Sequence, residues 1–146
     1  MAGLLTPRRR YVTELLDSRN DDEGLVLRTV EDLRRSNVVF SGTRAALAEL
    51  SLHFARLPAT ATLLDVGTGL GDVPRAAAGA ARSHNITLTT IGLDAEPVIA
   101  RSATDSVAHA ICGSGLALPF RDGSVDIVMC SQTLHHFRGE GECALL

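Results

Sequence analysis

The chain contains no lysine, and all 14 of its basic residues are arginine. That bias is read as compositional rather than chemical. Cysteine is scarce as well: Cys112, Cys130 and Cys143 are odd in number, widely spaced, and form no CxxC pair. This excludes a disulfide framework and a zinc site built on paired thiolates. A reducing, cytoplasmic setting is expected. No apolar run approaches the roughly 20 residues a membrane span requires. The arginines at 8–10 are followed by YVTELLDSRNDDEG, without the apolar core that would make a signal peptide. The net charge of −3 lacks the basic stripe that marks nucleic-acid binders. There is no internal repeat and no low-complexity segment. The alanine-rich stretch from Ala76 to Ala81 is a good helix former and nothing more.

What is present divides in two near residue 58. The first part has helical spacing. Tyr11, Val12, Leu15 and Leu16 mark one helix, which Asp21 and Asp22 interrupt. Leu25, Val26, Val30 and Leu33 mark a second, with Glu23 in its first turn and Arg34 and Arg35 in its last. Ser41 to Thr43 is a break and an N-cap. Ala46, Leu47, Leu50, Phe54 and Leu57 then trace a third helix, ended by Pro58.

From residue 60 the period changes. Short apolar runs at 62–66, 87–93, 108–112 and 125–130 read as strands. Helical stretches at 74–83 and 97–104 separate the first three, and another helix begins at Ser131. Alternation of this kind, with continuous apolar strands, predicts a parallel sheet covered by helices.

The sharpest feature is Asp65-Val66-Gly67-Thr68-Gly69-Leu70-Gly71-Asp72, placed between a strand and a helix. Glycine permits positive φ and close backbone approach, and the helix that follows offers unpaired N–H groups. A tight turn holding no ligand would also satisfy this segment. The dinucleotide fingerprint G-x-G-x-x-G wants glycine where this chain has Asp72. A carboxylate there would oppose a pyrophosphate. Asp94 ends the next strand, where a carboxylate can accept hydrogen bonds from both hydroxyls of a ribose.

Four segments together resemble the class I S-adenosylmethionine-dependent methyltransferases of small-molecule type. They are the glycine loop, Leu93-Asp94, the run from Gly113 to Phe120 with Asp122 to Val128, and Leu134-His135-His136. The resemblance implies a Rossmann-like, doubly wound α/β fold with strand order 3-2-1-4. Residues 1–58 would be a helical lid and 59–146 a partial cofactor-binding domain. It implies S-adenosyl-L-methionine as cofactor. Gly67, Thr68, Gly69 and Gly71 would wrap its methionine part and ribose, and Asp65 would hold the loop and the amino group. Asp94 would take the ribose, Ala95 would lie beside the adenine, Ser114 and Gly115 would flank it, and Cys130 and Ser131 would line the channel near the sulfonium. Ser114 stands where the family commonly has Asp, which predicts somewhat weaker binding.

His135 and His136 are candidates for a general base, needed only where the acceptor must lose a proton. Adjacent helical residues point in different directions, so a joint metal role is not expected, and a site-shaping role is preferred. The expected partner is a small-molecule methyl acceptor, with neither nucleic acid nor membrane. The family has seven strands, so this sequence is expected to be a fragment, a truncated product or half of an assembly. An uncovered fourth strand would then be open to self-association. The alternatives are a cofactor-binding module without turnover and, disfavoured by Asp72, a nicotinamide-dependent oxidoreductase.

Overall fold

The computed structural model describes residues 22–39, 42–131 and 133. The helix expected around Tyr11 to Leu16, the Ser41 cap, and His135 and His136 lie outside these. Ser131 and Thr133 are described, but the helix expected to begin there otherwise lies outside them too.

Two helices come first, α1 (Glu23–Val39) and α2 (Gly42–Ser51). Asp22 starts α1 by accepting the Leu25 amide on its carboxylate at 3.1 Å, one of the donors a helix start leaves over. Val26 and Val30 are buried, whereas Leu25 is 37% exposed and faces outward. Because α1 runs on to Val39, Arg34 and Arg35 are not in its last turn. They serve instead as partners of Glu31, with Arg34 bonding it at 2.6 Å. The third helix is shorter than its apolar stripe suggests. It stops at Ser51, and a 3₁₀ turn over Phe54–Arg56 carries the chain on. The tighter turn still places Phe54, almost fully buried, in the same core as Leu50.

The sheet is built from β1 (Thr60–Val66), β2 (Thr87–Asp94), β3 (His109–Cys112) and β4 (Ile127–Met129), in the order β3-β2-β1-β4. All pairings are parallel. Helix α3 (Asp72–Arg82) joins β1 to β2, and α4 (Pro97–Ser102) joins β2 to β3. Both connections step the same way across the sheet, so right-handed crossovers set both helices on one face. The chain then returns past β1 to form β4. That reversal makes the winding double and leaves a crevice at the carboxyl ends of β1 and β4.

Alternation along β1 splits the core. Ala61 and Leu63 pack with Leu50, Phe54, Ala77 and Ala81 under α2 and α3. Leu64 and Val66 point the other way, against Leu93, Ile91, Phe120 and Val125. Burying one such side chain contributes about 1.5–3 kcal/mol. A third cluster, Val26, Val30, Val98 and Ile99, pins α1 to α4, and Arg101 adds an exposed ion pair to Glu23 at 2.8 Å.

The fourth strand is shorter than the apolar run at 125–130 suggested. Its ladder covers only Ile127 to Met129, and Val128 is 54% exposed. Among the described residues it pairs with β1 alone. Asp126 extends that pairing by accepting the Thr62 amide on its carboxylate at 2.7 Å. Among the described residues no helix is long and apolar enough to cross a membrane.

Candidate functional site

The site begins with the backbone of the loop between β1 and α3. Gly67, Gly69 and Gly71 have φ of 72°, 57° and 73°, in the left-handed region that only glycine enters freely. Gly71 sits at the N-cap of α3 and offers no side chain to cap it. Asp72 follows as the acidic residue of the first turn and takes a long hydrogen bond from Thr43 of α2 at 3.4 Å.

The loop is fastened to the end of β2. The Leu93 carbonyl accepts both the Gly67 and Thr68 amides, at 2.8 and 3.1 Å, and the Thr68 carbonyl accepts the Gly71 amide at 3.0 Å. The Gly69 amide donates to Asp94 Oδ2 at 3.1 Å, while the Glu96 amide donates to Oδ1 at 3.1 Å. The two markers singled out in the sequence therefore touch. Most loop amides are committed within the fold. Each Asp94 oxygen keeps a lone pair for another donor.

Asp65 lies beneath the loop at the end of β1, 3% exposed. Burial pushes its carboxyl up to about 7, and the nearby charges of Asp72 and Asp94 push the same way. The neighbouring Thr68 hydroxyl opposes this shift, but its geometry completes no hydrogen bond, and Thr68 Oγ1 is buried without a partner. Asp94 is also raised, chiefly by burial, against the pull of its two amide donors.

Ala95 is exposed beside Asp94, and its carbonyl lies 3.8 Å from the Cys112 thiol. Gly115 is buried, whereas Ser114 is exposed and its hydroxyl accepts the Leu116 amide at 3.2 Å. That hydroxyl folds its own turn. Cys130 and Ser131 leave β4 half-buried. Burial raises the Cys130 thiol, and the charge of Asp65 adds to it. Asp65 pairs in register with Met129, which sets the ends of β1 and β4 side by side.

Three contributors were not singled out in the sequence. Val30 of α1 is the atom group closest to the open side of Gly69, 3.8 Å from where a Cβ would stand. Thr133 covers Gly67, where any side chain would collide with it, and donates to the Gly67 carbonyl at 3.4 Å. Gly92 of β2 lies directly under Thr68. Only Gly92 carried a local signal, since glycine inside a strand often marks a close backbone approach.

The pattern of the methyltransferase-domain family matches residues 64–144. No curated protein matches the chain. Among solved structures, an S-adenosyl-L-methionine-dependent methyltransferase from Methanococcus maripaludis aligns at 13% identity, with TM-score 0.59, over 83% of this chain and 55% of its own. The plantazolicin methyltransferase BpumL, in complex with SAH, aligns at 16% identity, with TM-score 0.52, over 76% and 42%. The chain thus spans about half the length of these structures. At such identities the likeness concerns the fold, an α/β sheet of order 3-2-1-4 with helices.

Proposed function

The chain belongs to the methyltransferase-domain family, and from that premise we propose that it binds S-adenosyl-L-methionine at the β1–α3 loop for methyl transfer to a small-molecule acceptor. The observation that carries the reading is the contact between the Gly69 amide and Asp94 Oδ2. It brings a backbone turn and a ribose-type acceptor to one point at the carboxyl end of the sheet.

The surroundings fit the cofactor. The space beside Gly69 is open except for Val30. Asp65, Asp72 and Asp94 interact electrostatically, which suits a cationic sulfonium and ammonium and opposes a pyrophosphate. In this reading Asp94 accepts the ribose hydroxyls and Ala95 lies beside the adenine. Ser114 and Gly115 border the base, with Gly115 contributing backbone because the Ser114 hydroxyl is engaged. Gly67, Thr68, Gly69 and Gly71 shape the wall around the methionine part, Asp65 holds the loop, and Cys130 and Ser131 flank the channel.

When bound, the cofactor supplies a methyl group on a sulfonium, whose departure leaves a neutral thioether. The protein's share is alignment and exclusion of water. Helix α1 acts as a lid, since Val30 stands over Gly69. His135 and His136 lie outside the described residues and would act as base only for an acceptor that must lose a proton. A second reading is cofactor binding by these residues without turnover. A nicotinamide role is disfavoured by Asp72 in the first turn of α3.

Titration calorimetry with S-adenosylmethionine and S-adenosylhomocysteine tests the proposal. Saturable binding is expected, and its absence from folded protein at millimolar ligand overturns the reading. Binding without methyl transfer across a panel of acceptors selects the second.

A further inference from the structure

We propose that Gly92, outside the glycine loop, is a positioning residue for the ribose-binding carboxylate: the space left by its missing side chain seats Thr68, and that seat fixes the contact between Gly69 and Asp94. This deepens the cofactor reading above and rests on it.

The loop lies along the last three residues of β2 as three successive contacts. Thr68 packs over Gly92, the Leu93 carbonyl takes the Gly67 and Thr68 amides, and Asp94 takes the Gly69 amide. A Cβ at residue 92 would stand 2.8 Å from Thr68 Cγ2, 2.9 Å from Oγ1 and 3.1 Å from Cβ. Carbon atoms pack at about 3.5–4.0 Å, so one partner would have to move.

Gly92 is the worse candidate, because it sits mid-strand in register with Asp65 on one side and Ala110 on the other. Thr68 would be the group lifted. Its backbone is tied to Leu93 and Gly71, and Gly69 follows it directly. The Gly69–Asp94 bond, at 3.1 Å, is already near the long end of the useful range for N–H···O. A rise of a few tenths of an ångström in the loop stretches it beyond that range and weakens it. Asp94 would keep the Glu96 amide, but its carboxylate would be held less firmly toward the loop.

The test compares wild type with Gly92→Ala, Thr68→Ala and the double variant, by calorimetry with S-adenosylhomocysteine, by thermal unfolding, and by NMR hydrogen exchange at the Gly69 amide. Thr68→Ala removes the two nearest atoms and should relieve most of the clash, leaving only the residue 68 Cβ at 3.1 Å. Gly92→Ala is expected to weaken binding about tenfold, and the same change in the Thr68→Ala background less than about threefold, as contacting residues couple. In Gly92→Ala the Gly69 amide should exchange faster while amides within β1 keep their protection, which a general loss of stability would not produce.

Unchanged affinity in Gly92→Ala, or equal weakening in both backgrounds, overturns the proposal. If Gly92→Ala alone does not fold, the double variant decides: binding like Thr68→Ala supports the seat, and tenfold weaker binding overturns it. If wild type does not bind the ligand, the cofactor reading falls instead, and Gly69 exchange in Gly92→Ala against wild type still decides the seat.

Discussion

The two flanks of β1 are built differently. Toward β2 the pairing runs over the whole strand, from Thr60 opposite Thr87 to Val66 opposite Leu93, and continues into the loop through the Leu93 carbonyl and Asp94. Toward β4 it covers three residues, extended by two hydrogen bonds between Thr62 and Asp126, with Val128 turned to solvent. The difference shows where rigidity is concentrated. The flank carrying the proposed ribose contact is fixed by backbone geometry and burial. The flank carrying Cys130 and Ser131 rests on few bonds.

Substitutions can break or sharpen that contrast. The largest effect is expected from Leu63→Ala, which empties a fully buried position under α2 and α3. It should destabilise the protein by about 2–5 kcal/mol in urea unfolding. A loss below about 1 kcal/mol would show that the core near β1 can collapse around the gap. Next comes Asp94→Asn, which keeps the shape but removes the charge. A hydrogen bond to a charged group contributes about 1.5–3 kcal/mol, so S-adenosylhomocysteine affinity should fall more than tenfold. Because the Asn amide nitrogen cannot accept, either the Gly69 or the Glu96 amide also loses its acceptor, and stability should fall by about 1–3 kcal/mol.

Asp65 comes third, through pH. Its folded value, about 7, lies above the ordinary 3.8, so between those limits the folded chain holds a proton the unfolded chain has released. Stability then falls as pH rises through this window, by no more than about 1.4 kcal/mol per pH unit. Above it no further loss comes from this group. Urea midpoints measured from pH 4.5 to 7.5 should show that slope in wild type and a flatter one in Asp65→Asn. Identical slopes would mean the carboxyl is not held neutral. The smallest effect is expected at Val128→Thr on the exposed strand, within about 0.5 kcal/mol of wild type. A larger loss would mean that β4 is more covered than its exposure indicates.

Much of the first flank was legible in the sequence because its parts are local. Three alternating glycines between an apolar run and a helix announce a turn, and an aspartate at a strand end announces an acceptor. The bond joining them follows from the parallel pairing of β1 with β2. The rest depended on contacts between distant segments. That Val30 would approach Gly69, or Thr133 cover Gly67, is set by packing and leaves no periodic trace. The apolar stripe through Phe54 and Leu57 suggested one long helix, because a 3₁₀ turn keeps nearly the same face buried. Ser114 could be matched to an adenine contact by position alone. Only coordinates show its hydroxyl bonded to the Leu116 amide. Val125 to Cys130 suggested a longer strand by composition, yet the length that pairs depends on neighbours the pattern does not contain.

The sheet order also bears on how the molecule assembles. Strands β1 and β2 are separated by α3 alone, whereas the Thr62 amide reaches Asp126 across 64 positions of chain. Each doubling of loop length adds about 0.6 kcal/mol of closure entropy, so closing β1 onto β2 through α3 costs less chain entropy than closing it onto β4. Gly69 and Asp94 both belong to that more local β1–α3–β2 unit.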